Sequence, residues 1–359
     1  MQRTLASAAA GLLLAGAAGS AQALSFDLSF IDGTGVAEQN SFIAAAGLWS
    51  AQFNDNVTVK LTVGTGALGS SILAQAGSRS ISYSYTDVRD ALVADASSAA
   101  DGTAVAHLAA GSSVGMLINR TSDNPNGAGS ATPYVDASGA NNETVSLNAA
   151  NARALGLGFG DGGVSGGCTD CDGFIQFSTG FNWDHDRSNG IDGNAYDFVG
   201  IAAHEIGHAL GFVSGVDFLD FNSPPNGGPF PANAFTFLSS LDLFRFSALS
   251  TASGVIDWTA DNRDKYFSID GGATAGAPFS TSITFGDGRQ ASHWKDNLGL
   301  GIMDPTAGPG ELLSIGTNDL TAFDVIGWNV AVVPEPATYA LFGLGLVAVG
   351  SAARRRRGA

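Results

Sequence analysis

The chain has 359 residues, 45% of them hydrophobic and only 14% charged, which excludes wholesale disorder and provides for a sizeable core. Its formal net charge is −17, and residues 24–336 alone hold 11 cations against 33 acids, so nucleic-acid binding is close to excluded. At about 150 residues per domain the length fits two domains or one large one with long loops, and 28 Asp with 49 Gly favour turns.

In chain order, residues 1–23 come first, with one early Arg, an apolar stretch around Leu12, Leu13 and Leu14, and the small-residue site Ala21-Gln22-Ala23. That order predicts a cleaved secretory signal peptide. Residues 37–53 place Phe42, Ala45, Leu48, Trp49 and Phe53 at helical spacing, whereas 56–64 alternate Val57, Val59, Leu61 and Val63 as a strand. A helix is predicted over 86–96, beginning at the capping residue Thr86. Residues 112–145, rich in Gly, Asn and Ser, read as a surface insertion, followed by a short helix over 147–155. Cys168 and Cys171 are the only cysteines; with no second pair in an exported chain, a local disulfide is favoured over half a zinc site, a redox pair or a thiolate cap on a metal. Residues 173–179 read as a strand and a candidate edge for pairing with a peptide. In residues 184–192, Asp184, Asp186, Asn189 and Asp192 place oxygen donors as in a calcium loop, although Ala195 stands where a bidentate Glu is usual.

Residues 197–212 read DFVGIAAHEIGHALGF. Asp197 can cap a helix with apolar Val199, Ala202, Ile206 and Leu210. His204 and His208, four apart, stand one turn above the other and can grip one zinc ion. Glu205, the next residue round, can take a proton from a zinc-activated water without being a ligand. Chance expectation for H-E-x-x-H at this composition is roughly 0.001 per chain, so the signal is specific. A catalytic zinc needs a third protein ligand. The compact spacing would place it at Ser214, which is not an imidazole. That leaves Asp217, Asp220, Glu311, His107, His185 and His293, of which His293 precedes Trp294 and is followed ten residues later by Met303.

His204, Glu205, His208, Gly211, His293, Trp294 and Met303 together resemble the leishmanolysin-like branch of the metzincins, which inserts a long segment before the third histidine. The likeness spans about 197–328, including a closing helix that ends near Trp328. Gly301-Ile302-Met303 departs from that branch, where Glu often precedes the turn. The resemblance implies an α+β, zincin-like fold: a mixed twisted sheet carrying the active-site helix over a loop-rich C-terminal subdomain. The body would run 24–330, divided near residue 212. It further implies a zinc-dependent endopeptidase acting on a protein or peptide, with Glu205 as general base, His204, His208 and His293 as ligands and Met303 in a turn beneath the metal. Replacing Asp217 or Glu311 by Ala should then leave metal binding intact.

At the C-terminus, Val333-Pro334-Glu335-Pro336 leads into the uncharged residues 337–353 and then Arg354 to Arg357. Seventeen residues at about 1.5 Å each just reach across a bilayer core, with the arginines held at the cytoplasmic side. The segment 331–359 resembles a PEP-CTERM sorting signal, which implies membrane contact before processing, cleavage by an exosortase-type enzyme and a place on or outside the envelope of a Gram-negative-type bacterium. A non-catalytic matrix protein with a structural or vestigial metal site is the competing class.

Overall fold

In the computed structural model, which describes residues 24–158 and 168–331, the alternating Phe26, Leu28 and Phe30 form strand β1 (Ser25–Phe30). Helix α1 (Val36–Ser50) follows, burying Phe42, Ala45, Ala46 and Trp49, an i, i+3, i+4, i+7 stripe. Then come β2 (Thr58–Gly66), β3 (Ala74–Ser78), β4 (Ser80–Ser84), α2 (Tyr85–Asp95) and α3 (Ala99–Ala106). The cap of α2 is Ser84, whose hydroxyl accepts from Asp87 N–H, not the expected Thr86.

The next stretch corrects the surface insertion expected over 112–145 at its two ends, whereas residues 122–140 lie at the surface apart from Asn124. It contains β5 (Met116–Ile118), β6 (Tyr134–Asp136) and α4 (Ala140–Glu143), with Met116, Leu117 and Ile118 all buried. Asn119, Thr121, Asn124, Asn141 and Asn142 are buried as well. Asn142 donates to the carbonyls of Val114 (2.8 Å) and Asp136 (3.0 Å), and Asn119 exchanges hydrogen bonds with both backbone groups of Ala260. Asn119, paired through both its nitrogen and its oxygen, can enter a core at little cost, whereas Asn142 Oδ1 is buried without a hydrogen-bond partner. The helix expected over 147–155 begins later, because β7 (Thr144–Asn148) pairs with β4 before α5 (Ala149–Ala154) starts.

Strands β8 (Gly173–Ser178), β9 (Trp183–Asp184) and β10 (Tyr196–Asp197) lead into α6 (Phe198–Leu210) and α7 (Val216–Asn222). The remainder holds β11 (Arg245–Phe246), α8 (Ala248–Ala252), β12 (Ile256–Asp257), β13 (Lys265–Phe267), β14 (Pro278–Phe279) and α9 (Thr317–Val325). The protein is therefore mixed α/β, with several small sheets.

The largest sheet has the order β1-β2-β8-β3. Its first three strands are parallel and β3 runs antiparallel on β8. Strand β8 is thus interior, and the edge expected there belongs to β3. Val59, Leu61, Val63, Ile175 and Phe177 are buried. Phe42 of α1 meets the rings of Phe177 (5.2 Å) and Phe198 (5.0 Å), while Trp49 Nε1–H donates to the Ala203 carbonyl (2.8 Å), locking α1 along α6. β12 pairs with β5, so a strand from the first half is shared with the loop-rich second half. Among the described residues no helix is long and apolar enough to cross a membrane. The expected signal peptide 1–23 and membrane span 337–353 lie outside them.

Candidate metal centre

Helix α6 starts as its sequence predicts. Asp197 accepts from Gly200 N–H (2.8 Å) and from Leu313 N–H (3.1 Å), and it pairs with Arg187 at 3.2 Å. The helix ends at Gly211, whose φ of +121° suits glycine and turns the chain away from the helix axis. Asn148 donates to the His208 carbonyl (2.8 Å), and Trp328 donates to that of Leu210 (2.9 Å). Between these anchors Val199, Ala202, Ile206 and Leu210 are buried, which turns His204, Glu205 and His208 towards a cleft.

His293 arrives from a loop 85 residues later. Its Nε2 lies 3.1 Å from Nε2 of His208 and 3.3 Å from Nε2 of His204, and the first two histidines stand 3.1 Å apart. Ligand atoms placed tetrahedrally at about 2.0–2.1 Å from one ion are about 3.3–3.4 Å from each other, so the spacing suits a shared cation. Each Nδ1 faces a backbone carbonyl: Ile302 for His204 (2.8 Å), Phe212 for His208 (2.7 Å) and Gln290 for His293 (3.3 Å). With Nδ1–H donating, all three Nε2 lone pairs point at one place. Burial pushes all three rings below the ordinary histidine range, His208 to about 3 with help from His204, so they stay neutral as ligation requires. Among the described residues this is the one group of three or more His, Cys, Asp or Glu side chains whose ligand atoms lie within 4.8 Å of one another.

Glu205 is buried, and desolvation pushes its carboxyl up to about 8. It lines both the cleft of about 630 Å³ that holds all three histidines and an adjoining one of about 490 Å³. Such a carboxyl is placed to exchange a proton with whatever occupies the cleft. Met303 is fully buried with its sulfur against Gly207 of α6, and its carbonyl accepts from Trp294 N–H (3.0 Å). A residue with no sequence signal holds this floor. The buried carboxylate of Asp319 accepts from Trp294 Nε1–H (2.8 Å) and from the N–H groups of Ile302 (2.7 Å), Met303 (3.3 Å) and Gly316 (2.7 Å).

The other candidates lie elsewhere. Asp217 turns both oxygens to residues 291 and 292, Asp220 accepts from Thr284 and Phe285 N–H, and Glu311 accepts from Gly308 N–H. Ser214 donates to buried Asp242. His107 faces the Thr103 carbonyl, and His185 bonds Ser41 and packs on Phe198. Cys168 and Cys171 are joined in a disulfide. In the expected calcium loop, Asp184, Asp186 and Asp192 do not converge. Asp184 accepts from Asp186 and Asp192 N–H (2.9 Å each) and Asp186 from Ser188, bonds that hold both carboxyls below their usual range. Asn189 packs its amide back on the Asp186 carbonyl.

The chain carries a PEP-CTERM protein-sorting motif. It is matched over residues 332–357, as the Pro-Glu-Pro, apolar and arginine segments imply. The protein is thus exported and sorted to the cell envelope of a Gram-negative bacterium, with processing by an exosortase-type enzyme. No curated protein and no solved structure matches the chain. The motif speaks to sorting and leaves the chemistry of the body to its residues.

Proposed function

We propose that the body is a zincin-like, zinc-dependent endopeptidase that cuts protein or peptide substrates outside the cytoplasm. The observation that carries this reading is the convergence of three neutral imidazoles beside a buried carboxyl in an open cleft. His204, His208 and His293 would hold the zinc, leaving one position open as a catalytic site requires. Zinc bound there would supply Lewis-acid polarisation of a carbonyl and an acidified water. The charge of a zinc ion beside it would return the Glu205 carboxyl to its ionised form, so that Glu205 would accept the proton from the attacking water and return it to the leaving amine. The free edge of β3 supports an extended substrate, since Ala74, Gln75, Ala76 and Ser78 line the cleft beside the histidines. Main-chain hydrogen bonds along that edge would hold a peptide regardless of its side chains. The resemblance to leishmanolysin-like metzincins belongs to this proposal and rests on the positions of His293, Trp294 and Met303.

The test compares wild type with Glu205→Gln for zinc content and hydrolysis of an unfolded protein. The variant should keep its zinc and lose about 10²–10⁴-fold or more in turnover, because an amide takes no proton. Near-normal turnover would remove Glu205 from the mechanism. Zinc in both proteins with hydrolysis by neither would favour the matrix-protein reading.

A further inference from the structure

His204 and His208 are held by one helix, but His293 sits in a turn between two single bridges, Ser282 with Arg289 and Phe279 with Trp294. Its Nδ1 contact is the longest of the three, at 3.3 Å. Something else must place this ring. The segment after the bend at Gly211 supplies it. Asp217 Oδ1 accepts from Ala291 N–H (2.6 Å), and Oδ2 accepts from Ser292 N–H (3.1 Å) and from the Ser292 hydroxyl. That hydroxyl also accepts from Ser214 N–H (2.9 Å), so the two strands of chain are laced twice. The carbonyl of Ala291 is held by the buried Arg245 guanidinium (3.3 Å), which also donates to the Ser280 carbonyl (2.7 Å). Both backbone groups of residue 291, two positions before the ligand, are therefore fixed by charged side chains.

We propose that Asp217 is a positioning residue that docks the loop bearing His293 onto the segment following α6, and thereby sets the affinity of the three-histidine site. This rests on the metal reading above, but it concerns a residue that touches no metal. It revises the expectation that Asp217→Ala would leave metal binding intact. Charge-assisted bonds to two consecutive N–H groups fix a backbone far better than one neutral contact does. Partners that orient a ligand from outside the coordination sphere typically set 10–100-fold in affinity.

The experiment measures zinc affinity by chelator competition, and the visible spectrum of the cobalt-loaded protein, for full-length wild type, Asp217→Asn, Ser292→Ala, Asp220→Asn and His293→Ala. Asparagine fills the space of Asp217 but turns an N–H₂ towards one N–H, so a role in packing alone would survive the change. Asp217→Asn should lose about 10–100-fold in zinc affinity and alter the cobalt bands, with Ser292→Ala losing a smaller share of the same kind. Asp220→Asn, which loosens the backbone at Thr284 and Phe285 rather than at residues 291 and 292, should match wild type. Wild-type affinity and spectrum in Asp217→Asn would overturn the positioning role while leaving the metal site standing. Should that variant not fold, wild-type behaviour in Ser292→Ala would overturn it instead. A wild type that takes up no zinc, or a His293→Ala protein that binds it equally, would overturn both readings.

Discussion

Asp95 shows how a single carboxyl is governed by its neighbours. Burial pushes it up to about 6 from 3.8, with the charges of Asp55, Asp101 and Asp324 adding to the effect, although Asn329 donates to it at 3.1 Å. The folded value lies above the unfolded one, so between 3.8 and about 6 the folded state binds a proton that the unfolded chain lacks. Stability contributed by this group is therefore lost as pH rises through that window. Asp95→Asn keeps an acceptor for Asn329 without ionising. It should stabilise the protein by about 1 kcal/mol at about pH 7.5, allowing for solvent near a half-buried group, and by almost nothing near pH 4. Denaturant melts at the two pH values check this, and an equal effect at both would dismiss the repulsion. No residue of this cluster stood out in the sequence, because four aspartates from distant segments meet only after folding. His204, Glu205 and His208 did stand out, since one helical turn suffices to place them.

Helix α6 meets its floor at Gly207. A Cβ there would stand 2.5 Å from Met303 Sδ and 3.3 Å from Trp49 Cζ2, so α1, α6 and the turn at Met303 close on one another at a position without a side chain. Ala in a helix interior gains about 0.5–1 kcal/mol over Gly, whereas overpacking costs about 1–3 kcal/mol. Gly207→Ala should therefore lose about 1 kcal/mol in wild type and gain stability in a Met303→Ala background, where the sulfur is gone. A double-mutant cycle by thermal melting measures this coupling; additive effects would show that the contact does not constrain the helix. Helix α6 was legible because its cap, stripe and stop agree. Strand β3 was not, as Ala-Gln-Ala-Gly-Ser has neither alternation nor bulk and becomes a strand through its register on β8.

At the scale of the whole molecule, the body closes just before the sorting motif. Trp328 is fully buried, Asn329 N–H donates to Asp55 (3.0 Å), Val330 bridges Phe53, and Ala331 N–H reaches the Gln52 carbonyl (2.7 Å). A protein ending at Ala331 should keep the melting temperature and zinc stoichiometry of the longer chain. One ending at Val325 should lose cooperative unfolding, since removing a buried Trp alone costs about 3–5 kcal/mol. Equal melting of the two truncated proteins would place the boundary elsewhere.

By itself the sequence determined what is encoded within a turn or two of chain: the capped helix with His204, Glu205 and His208, the strand around Val59 to Val63, and the sorting motif at the C-terminus. Those features depend on neighbours in sequence, and composition or spacing exposes them. The tertiary structure alone decided that β3 is the edge, that Asn119, Asn124, Asn141 and Asn142 belong to the core, and that Asp217 and Asp319 hold the loops around His293 and Met303. Each of those outcomes turns on which backbone N–H or C=O a side chain meets across scores of residues. A hydrogen bond of that kind leaves no periodicity behind, because its partner is chosen by packing.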